Sequence, residues 1–217
     1  MNITLSLPPG FARIPTAGDL DSRVEAAQSI ATLADRGSAD PATTVEALLA
    51  TGDMLRSNGT ILAGQLALPE TDARVCVTVT LSTRPLGDGG PELYDLESRV
   101  ESARAIAQVL SQQNPHATVQ YRDLGGGPAV LILRCGRFRL PADVTVTGES
   151  IEIPTDTFQA ILPTPDGNSL LVFDMSTSAR EYWHHFLPVA MSMVDGIRVD
   201  STPNPAEPLT HRNEDPR

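Results

Sequence analysis

The sequence predicts an α+β protein, in which helices pack on an antiparallel β-sheet. Segments that alternate polar and apolar residues, as half-buried antiparallel strands do, occur in both halves of the chain. Four other segments carry apolar residues at helical spacing. With 217 residues, 41% of them hydrophobic, the chain is large enough for one domain with its own core. We expect a single domain over residues 1–200, followed by a flexible tail over residues 201–217 that is rich in proline and charge.

An internal repeat is the third observation behind this fold class. Residues 3–33 align without a gap with residues 79–109, and 14 of the 31 positions are identical, whereas chance gives about two. Each copy reads as a strand, a loop and a helix that begins after an aspartate N-cap, Asp19 or Asp95. We therefore expect two strand–helix units packed on the same sheet.

The repeat also predicts which of its residues are buried. Leucine and alanine recur at helical spacing in both copies, so Leu20 and Leu96 are expected to begin the buried stripe of each helix. The equivalent dipeptides Ser22-Arg23 and Ser98-Arg99 are expected to face solvent.

The other elements of the first half follow in chain order. A strand over residues 3–7 precedes the first repeat helix. A second helix is expected to begin at Asp40-Pro41, an N-cap followed by proline at the first helical position, and to end at the left-handed cap Asn58-Gly59. Residues 61–68 and 75–82 then alternate in polarity and predict a hairpin.

The second half reads mainly as strands. They are expected over residues 118–121, 129–135, 144–147, 151–153, 158–162, 170–175 and 197–199. Gly125-Gly126-Gly127 is followed by a strand and not a helix, which favours a hairpin turn over a phosphate-binding loop. Pro165-Asp166-Gly167-Asn168 predicts a second hairpin turn. Residues 176–178 are expected to cap a last helix, which Pro188 should bend or shorten and Gly196 should end.

Composition excludes several function classes. A net charge of −11 disfavours binding to nucleic acid or to anionic lipid. The sixteen basic residues are all arginine, which rules out chemistry at a lysine. We expect no signal peptide and no membrane span. Two cysteines, Cys76 and Cys135, are too few for a disulfide framework, so we expect both to be reduced and half-buried in a cytoplasmic protein.

No residue pattern predicts a catalytic centre, a metal site or a cofactor. His184 and His185 are adjacent on a predicted helix and so point about 100° apart, which does not suit a shared metal. The acidic residues near Asp19 and Asp95 are explained as caps and as partners of the helix dipole.

The C-terminal part, about residues 118–200, resembles the Mog1/PsbP-like fold family. The resemblance rests on strands that end near residues 170–176, on the helix over residues 181–194 with Tyr182, Trp183, Phe186 and Pro188, and on the closing segment 195–199. The opening segment 7–11, Leu-Pro-Pro-Gly-Phe, also looks like the first-strand entry of bacterial members. The resemblance implies a non-enzymatic binding, adaptor or assembly module, and it carries over no catalytic residues.

Two function hypotheses remain open. The first is a non-enzymatic module that acts through a protein partner, with self-association left open. The alternative is a small-ligand binding protein or an enzyme with a pocket between sheet and helices. In that case Tyr182, His185, Asp174 and Arg134 are the polar residues expected to line the pocket. A deep pocket where these residues converge would favour the alternative, whereas a filled interior with an apolar surface patch would favour the module.

Overall fold

A computed structural model describes residues 2–34, 41–67, 75–86, 95–142, 145 and 147–200. These residues form four α-helices and nine strands, which confirms the α+β class. The helices are α1 (Leu20–Ala34), α2 (Pro41–Ser57), α3 (Leu96–Gln113) and α4 (Trp183–Asp195). The strands are β1 (Asn2–Thr4), β2 (Phe11–Ile14), β3 (Thr60–Ala67), β4 (Cys76–Pro85), β5 (Thr118–Leu124), β6 (Gly127–Leu140), β7 (Ile151–Pro163), β8 (Ser169–Thr177) and β9 (Arg198–Asp200). The predicted tail, 201–217, lies outside the described residues.

Seven strands form one antiparallel sheet in the order β2-β3-β4-β8-β7-β6-β5. Its central pairing is between β4 and β8, where Leu81 lies opposite Phe173. The predicted turn between β7 and β8 is confirmed: Gly167 has a φ of 77° and its N–H donates to the Thr164 carbonyl at 3.2 Å. Such a φ is accessible to glycine at little cost, which explains its place in the turn. β1 and β9 pair separately as a two-stranded antiparallel ribbon.

Helix α4 covers one face of the sheet and buries the main core. Every second residue of the central strands points to this face, as strand geometry requires. Its largest fully buried side chains are Phe158, Leu162, Leu171, Phe173 and Met175 from the sheet and Phe186 from α4. Pro188 lies inside α4, which nevertheless continues to Asp195. The space between α4 and the sheet is therefore filled by side chains.

The opposite face is covered only at its two ends by described helices. α3 lies over β5 and β6, where Ala103 packs against Val130 and Ile132. α2 contacts β3 at the other end, where Ala63 is fully buried. The middle of this face carries polar side chains, and the strand register places them in two adjacent rows. They are Thr78, Thr80, Thr157, Gln159, Asp174 and Ser176.

The two helices of the repeat share their N-cap geometry and one buried position. The backbone N–H of Ser22 donates to Asp19, and that of Ser98 donates to Asp95, in both cases at 2.8 Å. These hydrogen bonds lower the pKa of both aspartates and confirm them as N-caps. The equivalent residues Ala27 and Ala103 are both fully buried.

The strand halves of the repeat are not equivalent, so the prediction that both units lie on one sheet is wrong. β1 pairs with β9 outside the main sheet, whereas β4 lies at the centre of that sheet. α1 packs on α2 and β2, whereas α3 packs on β5, β6 and β7. Like helix sequences therefore occupy different surroundings, and residues 87–94 of the second copy lie outside the described residues.

Three burial predictions from the repeat are also wrong. The side chains of Leu20 and Leu96 are 63% and 58% exposed, because each is the first residue of its helix and lies beyond the packed turns. Arg23 was expected in solvent but is only 4% exposed. Its equivalent Arg99 is half-buried.

The last helix and two strands differ from expectation as well. Ser176 and Thr177 complete β8, where they pair with β7, so they do not cap a helix. A short 3-10 helix (Arg180–Tyr182) follows, and α4 begins at Trp183. The strands expected over residues 151–153 and 158–162 are one continuous strand, β7. Thr145 and Thr147 lie in no strand, and residues 144 and 146 of that predicted strand lie outside the described residues. None of the described helices is long and apolar enough to cross a membrane.

Candidate functional site

The structure divides the four predicted pocket residues between the two sides of the sheet. Asp174 and Arg134 lie on the polar face opposite α4. Tyr182 packs against the core on the α4 side, and His185 follows it along α4. The two pairs do not converge on one pocket. Phe173 and Met175, the neighbours of Asp174 in β8, point into the core beneath α4, so Asp174 points to the opposite side of the sheet.

Tyr182, His184 and His185 form an aromatic cluster at the start of α4. The rings of His184 and His185 are 4.0 Å apart, and the Tyr182 and His185 rings are 6.5 Å apart. Both histidines are exposed, as expected from the sequence. Among the described residues no group of three potential ligands could hold a metal ion.

Asp174 is the final acceptor of a chain of polar side chains in the middle of the sheet. Nε2 of Gln159 donates to Oδ1 of Asp174 at 2.9 Å, and Nη2 of Arg134 donates to Oε1 of Gln159 at 3.5 Å. Burial raises the pKa of Asp174, while the hydrogen bond from Gln159 and the charges of Arg134 and Arg84 oppose that rise. The result is a half-buried carboxyl group on a polar surface, with Arg134 and Arg84 close enough to affect it.

The Asp174→Asn variant is expected to be more stable than the wild type at about pH 7 and equally stable below about pH 3. Because the pKa of Asp174 is higher in the folded than in the unfolded state, its ionised form opposes folding at neutral pH. That penalty disappears once the pH falls below the unfolded pKa. The asparagine oxygen still accepts a hydrogen bond from Gln159. Urea denaturation at both pH values measures the difference, and an equal gain at both would contradict the explanation.

Strands β6 and β7 extend beyond the rest of the sheet as a two-stranded arm. The pairing of β5 with β6 stops at Leu133, and the pairing of β8 with β7 stops at Asp156. β6 and β7 continue to pair as far as Leu140 opposite Ile151. We call residues 134–140 of β6 and 151–155 of β7 the β6–β7 arm.

The two sides of the arm differ in chemistry. Directly paired residues point to the same side of a sheet. On the side continuous with the polar face, the pairs Phe138–Ile153 and Leu140–Ile151 are apolar. Phe138 is 56% exposed and Ile151 is 43% exposed. Leu140 and Ile153 are half-buried, so this apolar side of the arm is a partly exposed hydrophobic patch.

The opposite side of the arm is charged. Arg137 and Arg139 both donate to Glu152, at 3.1 Å and 3.0 Å. Both hydrogen bonds lower the pKa of Glu152. The guanidinium side chains are 75% and 73% exposed, so the three groups leave one net positive charge in solvent.

An open depression of about 540 Å³ joins the arm to the middle of the sheet. Phe138 and Ile153 line it on the arm, and Thr157, Asp174 and Ser176 line it on the sheet. The depression is shallow and widely open to solvent. It therefore resembles a docking surface more than an enclosed small-molecule site, which typically buries most of its ligand.

Cys135 lies on the charged side at the base of the arm. Its neighbour Asp156 is 4% exposed and accepts from Nε of Arg180 at 3.1 Å and 3.3 Å. The hydrogen bond with Asp156 raises the pKa of the Cys135 thiol, which keeps it protonated at neutral pH. Cys135 is exposed, so the expectation of half-buried packing is wrong for it, and the Cys76 side chain lies outside the described part.

Sequence reasoning identified Asp174 and Arg134 but missed Phe138, Ile151 and Ile153 as surface residues. The signal was present, because residues 137–140 read Arg-Phe-Arg-Leu and residues 151–153 read Ile-Glu-Ile. Such alternation predicts strands with one apolar face. It does not tell whether another layer covers that face.

Comparison with known proteins adds no functional information. No protein-family model matches the chain, and a search of curated proteins returns no match.

Proposed function

We propose that this protein is a non-enzymatic binding module that engages a protein partner through the apolar side of the β6–β7 arm. The observation that carries the proposal is the apolar patch of Phe138, Leu140, Ile151 and Ile153 on a strand pair that projects from the sheet. Phe138 and Ile151 of this patch are exposed, and Leu140 and Ile153 are half-buried. Exposed, contiguous apolar surface with a polar rim is typical of protein interaction sites. Aromatic residues such as Phe138 are enriched at the core of such sites.

Two further observations support the proposal of a module. The space between α4 and the sheet, where a pocket was considered, is occupied by Phe158, Phe173 and Phe186, all fully buried. The polar residues that could act on a substrate are divided between two faces. The resemblance to Mog1/PsbP-like domains points in the same direction, and a cytoplasmic location agrees with the small number of cysteines; both stay predictions.

A small polar ligand is the second candidate, and one observation favours it. Asp174, with its raised pKa, lines the same open depression as Phe138 and is hydrogen bonded to Gln159. A ligand that donates hydrogen bonds could contact Asp174 and Ser176 there. If this alternative is correct, Asp174→Asn should weaken binding and charge changes on the arm should not.

The Phe138→Asp variant is expected to lose the partner. Aromatic residues at the centre of interfaces commonly contribute 2 kcal/mol or more, so affinity should fall by about 30-fold or more. Tagged wild-type and variant proteins are used to capture partners from a lysate of the source cells, and retained proteins are compared by quantitative mass spectrometry. Because Phe138 is exposed, the variant should keep the melting temperature of the wild type.

Val109→Asp is the matched control. Val109 is an exposed apolar residue, 48% accessible, and belongs to α3 and not to the arm. We expect Val109→Asp to retain the same proteins as the wild type. If the wild type, Phe138→Asp and Val109→Asp all retain the same proteins, the proposal is wrong.

A further inference from the structure

The outer edge of β6 in the arm has no neighbouring strand among the described residues. β5 pairs with β6 only as far as Leu133, which leaves the seven residues from Arg134 to Leu140 unpaired on that side. All of them except Leu140 are exposed. Seven extended residues span about 23 Å. Their free N–H and C=O groups form a template on which a further strand can pair.

The opposite edge of the arm, on β7, is less suited to pairing. Pro154 lies in its middle, opposite Arg137, and proline has no N–H to donate. Proline is one of the residues by which edge strands avoid additional pairing. No proline lies between Arg134 and Leu140 of β6. The open edge of the arm is therefore that of β6.

We propose that a partner protein docks by adding an extended strand to this β6 edge, and that the side chains of this strand alternate between apolar and acidic residues. The proposal rests on the proposed function and specifies the chemistry of the partner. A strand beside β6 places its alternate residues next to the two sides of the arm. One set would lie beside Phe138 and Leu140 and should be apolar. The other would lie beside Arg137 and Arg139 and should be acidic.

The charges of β6 support an acidic partner. Residues 127–142 contain Arg134, Arg137 and Arg139 and no acidic residue, in a chain whose net charge is −11. Glu152 neutralises one of the two arginines on the charged side and leaves one positive charge for a partner. Charge complementarity of this kind selects partners and speeds their association.

The same charges disfavour a second copy of this chain as the added strand. Two copies related by a two-fold axis would pair their β6 edges antiparallel, so that residues from the same side of the arm face each other. In the register that pairs all seven residues of the two edges, Arg137 of one copy would then lie opposite Arg137 of the other. Like charges directly opposite each other destabilise a strand pair. An acidic strand from a different protein has no such conflict.

A synthetic peptide tests the proposal on the full chain. The probe is a capped, fluorescent ten-residue peptide that alternates valine and glutamate, and its binding is measured by fluorescence anisotropy. We expect saturable binding that weakens as salt is added. Two control peptides should not bind: one in which lysine replaces each glutamate, and one in which the five valines and the five glutamates form two separate blocks. A version N-methylated at alternate residues on its pairing edge should also fail, because it lacks the backbone donors.

Protein variants locate the site of binding. The Arg137→Gln/Arg139→Gln double variant should bind the probe about tenfold or more weakly, equivalent to about 1.4 kcal/mol. Arg122→Gln, at an exposed arginine on neighbouring β5, is the control and should bind as the wild type does. The proposal is overturned if the lysine or block peptide binds equally well, or if the double variant keeps full affinity. If the peptide does not bind the wild type but partner capture still depends on Phe138, the strand-addition proposal is wrong and the proposed function is unaffected.

Discussion

Phe173→Ala is expected to lower the free energy of unfolding by about 3–5 kcal/mol. Phe173 is fully buried in β8, at the centre of the sheet and beneath α4. Its ring meets that of Phe158 edge to face, with centroids 6.1 Å apart and planes at 68°. Truncation removes this contact and leaves a cavity that the sheet cannot close, because both neighbouring strands are fixed by the ladder.

Val172→Ala is the matched control for Phe173→Ala. Val172 is the adjacent residue of β8, is half-buried and points to the opposite face. We expect it to cost about 1 kcal/mol, because a smaller and partly exposed side chain is shortened. Urea denaturation with a common slope measures both variants. Equal costs at the two positions would contradict the assignment of the main core to the α4 side.

Arg23→Met is expected to cost about 2–3 kcal/mol, because it leaves buried hydrogen-bond acceptors without donors. Nε of Arg23 donates to the Pro15 carbonyl and Nη2 donates to the Leu49 carbonyl, both at 3.2 Å. Nη2 also contacts Oδ1 of Asp53 at 2.8 Å. Arg23 thereby joins α1, α2 and the segment before α1. Methionine keeps most of the apolar stem but donates to none of these groups.

The repeat supplies the control for Arg23→Met. Arg99 is the equivalent residue of the second copy, is half-buried, and makes a 3.4 Å hydrogen bond to the Asp95 carbonyl in its own helix. Arg99→Met should therefore change the free energy of unfolding by no more than about 0.5 kcal/mol. Thermal and urea denaturation of both variants provide the comparison. A similar loss of unfolding free energy in both variants would mean that Arg23 and Arg99 have similar surroundings, which would contradict the structure.

Local sequence signals predicted much of this fold. The caps Asp19 and Asp95, the left-handed Gly59 and the turn at Gly167 each act over a few residues, and all are confirmed. The alternation in β3 and β4 likewise predicted their pairing. These features are predictable because the interactions that cause them are close in sequence.

Long-range features were not predictable in the same way. Arg23 and Arg99 lie in similar local sequences. Arg23 is nevertheless buried, because it bonds carbonyl groups from distant segments. β1 leaves the main sheet because its partner is β9, near the other end of the described chain. Such contacts depend on topology and not on local pattern. A match of 14 residues in 31 therefore predicted two like helices but not two like units.

The candidate site was predictable only in part for the same reason. Asp174 was identified as a polar residue of a possible pocket, and the structure adds its partner Gln159. Phe138 was missed because the strand was expected to end at residue 135, whereas β6 continues to Leu140. It is exposed because β5 and β8 are shorter than β6 and β7.

Photo-crosslinking from the arm is the most direct test of the central claim, that the apolar side of the β6–β7 arm contacts a protein partner. A photoreactive phenylalanine analogue is placed at position 138 in one protein and at position 109, on α3, in another. Both positions are exposed, at 56% and 48%, so unspecific labelling should be similar. If the apolar side of the arm contacts a partner, the analogue at position 138 gives a discrete crosslinked protein, and the analogue at position 109 does not. Identical adducts from both positions, or a discrete partner from position 109 alone, would contradict the claim.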